Sequence, residues 1–245
     1  MSKLSLVCVN IERSKHLDTV TPFLLERNPD VVCMQELCER DIPHFEQELG
    51  MRCIYAPLGR HSDEPSDPQN SVMIGESVFT RLPVVQRMID YYSGSEEGAR
   101  TTPMHQHMWN LPLITVDVEK EGDIFRIMTI HFTWTEKGVS DERQLRDLDS
   151  LFKILETRGE YVISGDFNAP RGRETFSRIA AKYTDNIPAH YQTSLDPKYH
   201  RAPLEDQADK MVDGIFSTPG YTVSNVELHN GISDHCAITA IIERS

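Results

Sequence analysis

Apolar runs in this sequence repeatedly give way to side chains that can hold a metal ion or touch a phosphate. Residues 4–9 end on Asn10, 31–34 on Gln35 and Glu36, 125–130 on His131, and 161–164 on Gly165, Asp166, Phe167 and Asn168, while Asp234 and His235 directly precede the run 236–242. Open α/β sheets gather ligand sites where strand ends and their loops meet, so the recurrence points to one site rather than several. Taken singly, each residue has an ordinary role. Asn10 suits a turn, Glu36 a helix start, His131 a buried core position, and Asp213 a hydrogen bond to its own turn. Taken together, hard oxygen donors such as Glu36 and Asn10 suit Mg²⁺ or Mn²⁺. His105 and His107 form an H-x-H pair, read as structural because no third ligand stands near them in the sequence.

The elements that must position these groups follow from periodicity. Residues 4–9 and 31–34 have the short apolar pattern of buried strands, and Leu17, Val20, Leu24 and Leu25 mark a helix over 13–27, stopped by Asn28-Pro29-Asp30. This is a β-α-β unit and favours an α/β architecture. A helix is predicted over 40–49, ending at Gly50, followed by a long surface loop over 56–75 with strand patterning resuming at 71–74 and 78–79. A turn is predicted at 81–83, and 113–118 pairs with 125–130. Ser140 is the expected N-cap of a helix carrying Leu145, Leu148, Leu151, Phe152 and Leu155 and closed by Gly159. A strand over 161–164 precedes a helix over 172–182 and an irregular stretch over 184–210. Strands at 211–217, 222–228 and 236–242 close the chain. No repeat or linker divides it, so residues 1–245 are expected to form one domain.

Composition narrows the class. With 39% hydrophobic and 26% charged residues the chain fits a soluble globular protein. A net charge of −13 opposes non-specific binding to duplex nucleic acid, although a bound divalent ion with a few arginines can still capture a phosphate. The five cysteines, Cys8, Cys33, Cys38, Cys53 and Cys236, lack zinc-ligand spacing and read as free thiols. No signal peptide or membrane-length apolar run is evident, so a cytoplasmic location without membrane contact is expected.

The segment Gly165-Asp166-Phe167-Asn168 resembles the GDFN motif of the endonuclease/exonuclease/phosphatase superfamily. The family's other motifs have counterparts in order: Asn10-Ile11-Glu12, Gln35-Glu36, Ile130-His131, Asp213-Gly214-Ile215-Phe216, and Ser233-Asp234-His235. The resemblance spans residues 4–242. It implies an α/β four-layer sandwich, two mixed β-sheets packed face to face and flanked by helices, with the site at one edge. It also implies a metal-dependent phosphoester hydrolase, foremost a phosphodiesterase or nuclease. In that family pattern Glu36, Asn10 and Asp234 serve a Mg²⁺ ion (or Mn²⁺), with Glu12 in support. Asp166 activates water, Asn168 positions the phosphate or nucleophile, His235 contacts phosphoryl oxygens, Asp213 orients His235, and His131 stabilises the transition state or leaving group. Two departures stand out: Gly214 replaces a usual tyrosine, and Glu12 stands where some members have aspartate.

Arg171, Arg173, Arg178 and Lys182 form a basic cluster after the GDFN segment. Arg171 and Arg173, with Tyr191 and His200 from 184–210, are the expected substrate contacts; Tyr199 and Arg201 lie beside them. The expected partner is a phosphoester substrate, such as single-stranded nucleic acid or a nucleotide, with no obligate protein partner. A phosphatase of small molecules is the alternative, and a silent phosphate-binding module is the reading from another class.

Overall fold

Residues that are apolar on both faces of a strand require cover on both sides, and here two sheets with outer helices supply it. The computed structural model describes residues 2–62, 71–101 and 110–245. Strand β1 (Lys3–Asn10), helix α1 (Leu17–Arg27) and strand β2 (Val31–Cys38) form the expected β-α-β unit, with β1 and β2 parallel. The helix starts later than its apolar spacing predicts. Glu12 and Arg13 have φ of +45° and +68°, which a right-handed helix excludes. Helix α2 (Ile42–Leu49) stops at Gly50, as predicted, with the glycine in the left-handed region.

The described residues at both ends of the predicted loop over 56–75 are sheet, with β3 (Arg52–His61) pairing antiparallel with β4 (Val72–Thr80), while 63–70 lie outside the described residues. Pro57 and Gly59 obscured the strand, and they lie where the β3–β4 register slips. Gly75 lets the two strands approach, since a Cβ there would sit 2.2 Å from the Ala56 carbonyl oxygen. Beyond the predicted turn, β5 (Val84–Ser93) is an unpredicted strand. It lies at a sheet edge with many side chains exposed, so it lacks a buried apolar run. A short helix, α3 (Glu96–Thr101), follows it. His105 and His107 lie outside the described residues.

Strands β6 (Leu111–Lys120) and β7 (Asp123–His131) form the predicted antiparallel pair, and β7 runs parallel to β8 (Val162–Asp166). Helices α4 (Glu142–Leu155) and α5 (Glu174–Ala180) pack on this half. Asp141 rather than Ser140 caps α4, accepting from the Gln144 N–H; the Ser140 hydroxyl instead accepts the Thr175 N–H at the start of α5. The stretch over 184–210 is mostly irregular, holding only β9 (Thr184–Asp185) and α6 (Leu204–Gln207). The closing strands are β10 (Asp213–Ser217), β11 (Tyr221–His229) and β12 (Ala237–Arg244).

Among the described residues twelve strands form two mixed sheets, ordered β11-β12-β1-β2-β4-β3 and β5-β6-β7-β8-β10-β9. A core that includes Leu6, Cys8 and Ile238 from the first and Val116, Ile127 and Val162 from the second lies between them. Gln35, fully buried, donates to Thr129 Oγ1 at 2.8 Å and ties the sheets together. All five cysteines are free, as expected. Among the described residues no helix is long and apolar enough to cross a membrane.

Candidate active site

Each sheet places a parallel strand pair at the same edge. In the first, Asn10 is in register with Gln35; in the second, His131 and Asp213 both flank Asp166 in register. Three neighbouring strands therefore present His131, Asp166 and Asp213 in a row, opposite Asn10. Gly165 permits this arrangement. Its φ is +153°, and a Cβ would lie 1.9 Å from the Ile130 carbonyl oxygen on the adjoining strand.

Asp166 is 2% exposed and joins the two sheets. Its Oδ1 accepts the Asn168 N–H at 2.8 Å. Its Oδ2 lies 3.3 Å from Asn10 Nδ2, 3.5 Å from His131 Nε2 and 3.9 Å from His235 Nε2. Asn168 (φ +48°) donates from its amide to the Phe132 carbonyl at 2.9 Å, fixing the loop after β8 to the end of β7. The slot left open by Gly214 is filled from its neighbours. A Cβ there would come within 3.1 Å of Phe216 and 3.3 Å of Phe167, whose rings meet edge to face 5.0 Å apart.

His235 forms a tight ion pair. Its Nδ1 lies 2.7 Å from Asp213 Oδ2, which also accepts the Ser194 hydroxyl at 2.6 Å. Burial opposes the imidazolium charge, but the Asp213 and Asp166 carboxylates overrule it and hold His235 well above its usual range. Burial, with the Asp166 charge behind it, raises Asp213 as well, against the pull of the His235 charge.

Glu36 reaches the site through a β-bulge. Gln35 and Glu36 together oppose Glu76 where the β2–β4 register shifts, and Glu36 has φ +59°. Asn10 Nδ2 and Arg13 Nη1 flank its carboxylate at 3.3 and 3.2 Å. The Asn10 side-chain Oδ1 accepts the Glu12 N–H at 3.1 Å. Asn10 thus stands beside Glu36, with Nδ2 bridging Glu36 and Asp166 and one lone pair of Oδ1 engaged by the backbone.

Asp234 is the shared member of two donor groups. Glu12, His16 and Asp234 each bring an atom within 4.8 Å of the others, as do His200, Asp234 and His235. Burial, followed by the Glu36 and Glu12 charges and against the pull of His235, pushes Asp234 up to about 6. Arg13 pairs with Glu36 and Glu12, and Lys15 also pairs with Glu12; the oxygen donors of Glu36, Glu12 and Asp234 are of the kind that suits a hard divalent cation. Burial also takes His200 down to about 4, with the charges of His235 and Arg201 adding to it.

Glu76 escaped the sequence reading. It is fully buried, its carboxylate lies 3.9 Å from His131 Nδ1, and neither oxygen has a hydrogen-bond partner among the described residues. Burial, with Asp166 and Glu36 behind it, raises it far above the usual carboxylate range. The available signal was one acid inside the apolar strand 72–80. Ser194 and Arg13 were missed too; only the fold brings them to Asp213 and Glu36.

The expected basic grip is not assembled. Arg171 binds Asp185 at 2.7 Å and donates to the Ile187 and Tyr191 carbonyls, while Tyr191 packs against the core. Arg173, Arg178 and Lys182 pair with Asp209, Asp149 and Glu156. Arginine's fork favours such carboxylate pairing, and the acidic composition supplies a partner for each cation. Of the expected substrate contacts, His200 alone joins the cluster.

A model described as the Endonuclease/Exonuclease/phosphatase family matches residues 9–235. No curated protein matches the chain. Among solved structures, an endonuclease/exonuclease/phosphatase from Bacteroides vulgatus shares 18% identity, with full coverage of both chains and a TM-score of 0.72. TDP2 from D. rerio, complexed with single strand DNA product, shares 17% identity over 99% of this chain and 100% of its own, with a TM-score of 0.68. A Bacteroides thetaiotaomicron mannosyl-6-phosphatase shares 12% identity over 98% and 99% of the two chains, with a TM-score of 0.70. At these identities the structural likeness shows a common fold and nothing finer.

Proposed function

The chain belongs to the endonuclease/exonuclease/phosphatase family, and from that premise we propose that it is a metal-dependent phosphoester hydrolase, most simply a phosphodiesterase. The observation carrying this reading is the convergence of Asn10, His131 and His235 on one carboxylate oxygen of Asp166. Hydrolysis needs a base for water, donors for phosphoryl oxygens and compensation for charge on the departing oxygen. Asp166 takes the proton of the attacking water, with Asn168 holding the loop that aims it. His235, kept charged by Asp213, donates to a phosphoryl oxygen. His131 is the nearest group for the leaving oxygen. Glu36 and Asp234, with Glu12 beside them, would hold Mg²⁺ or Mn²⁺, which when bound would neutralise phosphoryl charge.

A small phosphorylated molecule is the second substrate reading, supported by the pairing of Arg171, Arg173, Arg178 and Lys182 with acids. The mannosyl-6-phosphatase and TDP2 neighbours illustrate the range of substrates associated with this fold. The test is turnover of bis-p-nitrophenyl phosphate, p-nitrophenyl phosphate, single-stranded DNA and RNA with Mg²⁺, Mn²⁺ or chelator. Asp166→Ala should reduce turnover about 10³-fold, the scale of general-base loss. Unchanged turnover in that variant would remove the assignment, and the preferred substrate would separate diesterase from phosphatase.

A further inference from the structure

His200 is placed by a buried scaffold. Asp196, 1% exposed, accepts the Lys198 and Tyr199 N–H groups on its carboxylate and the His200 N–H on its carbonyl. Its own N–H donates to the Asp234 carbonyl at 2.8 Å, and its second carboxylate oxygen accepts the Gly231 N–H. The turn carrying His200 is therefore built directly on the Asp234 segment. Leu195 forms an isolated antiparallel bridge with His235, and the Cys236 N–H donates to the Ser194 carbonyl. The His200 ring stands at 72° to that of His235, with centroids 6.0 Å apart.

The hydrogen bonds of that turn also decide which ring nitrogen carries the proton. The Ala202 N–H donates to His200 Nδ1 at 3.1 Å, so Nδ1 must offer its lone pair. In a neutral imidazole the proton then resides on Nε2. Such a nitrogen has no lone pair for a metal. A metal-ligating histidine ordinarily donates its other N–H to an acceptor, and here that other nitrogen meets an N–H. This argues against His200 as the third ligand beside Asp234 and leaves it a neutral donor next to a charged one.

We propose that His200, through Nε2–H, donates a hydrogen bond to a non-bridging phosphoryl oxygen of the substrate beside the one bound by His235, making the otherwise irregular stretch 184–210 part of the phosphate site. The proposal rests on the phosphoester reading above. It assigns a donor, not a proton-transfer group: no bond to hydrogen breaks at His200.

Two substitutions separate this role from turn building. Asn at position 200 keeps an acceptor for the N–H two residues on, as asparagine does in turns, and removes the distal donor. Gln keeps a distal N–H donor and removes the proximal acceptor. Inorganic phosphate binding by calorimetry with Mg²⁺, together with kcat/KM on the best phosphoester, is the readout, with melting temperature reporting the fold. His200→Asn should weaken phosphate binding and lower kcat/KM about tenfold, and His200→Gln should stay within about threefold of wild type, the range of one lost or retained hydrogen bond. Equal losses, the reverse order, or no phosphate binding by the wild type would overturn the proposal. Long-range ¹H–¹⁵N correlation of the free protein must show the proton on Nε2; a proton on Nδ1 would sink it regardless of folding. Wild-type phosphate binding without turnover of any phosphoester would defeat the hydrolase reading alone, leaving the donor role to the Asn–Gln comparison.

Discussion

The site contains two carboxylate–imidazole pairs of opposite character on either side of Asp166. His235 and Asp213 are 2.7 Å apart, with the Ser194 hydroxyl on the same carboxylate oxygen. His131 and Glu76 are 3.9 Å apart, and Glu76 is buried with neither oxygen hydrogen-bonded among the described residues. In the first pair geometry repays desolvation, and the ring is held charged. In the second, burial dominates, and the acid is held neutral. The same two residue classes thus produce a fixed cation on one side and a protonated acid on the other, the kind of divergence that separates roles within one site.

The largest test of this contrast is Asp213→Asn. Asp213 lifts His235 above its usual value of 6.5, so the imidazolium persists as pH rises and is lost only through the raised value. The variant should lose activity on the order of 10²-fold at pH 7.5, with the alkaline limb of its pH–rate profile displaced toward 6.5. An unmoved limb would dissolve the contrast. Ser194→Ala should follow, because Ser194 both donates to Asp213 and accepts the Val212 and Asp213 N–H groups. Denaturant titration should show a loss of about 1–3 kcal/mol, the cost of buried groups left unpaired.

Glu76→Gln probes the other pair with the opposite sign. A carboxyl raised on folding binds more protons in the native state, so its burial lowers stability as pH climbs above the unfolded value of 4.5. The glutamine variant should melt a few degrees above wild type at pH 8 with chelator present, the scale of about 1 kcal/mol in a chain of this size. The gain should vanish toward pH 4.5. A wild type whose melting shows no such pH dependence relative to the variant would mean that Glu76 is ionised. Tyr92→Phe is the mildest change, removing one hydroxyl donated to the His131 carbonyl at 3.1 Å. About 1 kcal/mol of stability is expected to go, with KM unchanged within error; a large loss of kcat would show that His131 needs that anchor.

The residues at strand ends were legible because an apolar run that stops on Asn10, His131 or Asp166 breaks the core pattern in a way one sequence displays. The β1-α1-β2 unit and the β6–β7 pair were legible for the same reason, since periodicity is local. Strand β5 was not, because an exposed edge strand carries no buried run. Residues 56–61 were misread because turn-forming Pro57 and Gly59 occur within a strand where its register slips.

The sequence by itself determined the kinds of groups available, their order and the α/β alternation that brings strand ends to one edge. Tertiary structure decided which groups meet. It aimed Glu36 through a bulge, set Glu76 behind His131, brought Ser194 to Asp213, and paired Arg171 with Asp185. Those outcomes depend on distances between residues far apart in the chain and on burial that shifts protonation, and neither is encoded in local spacing.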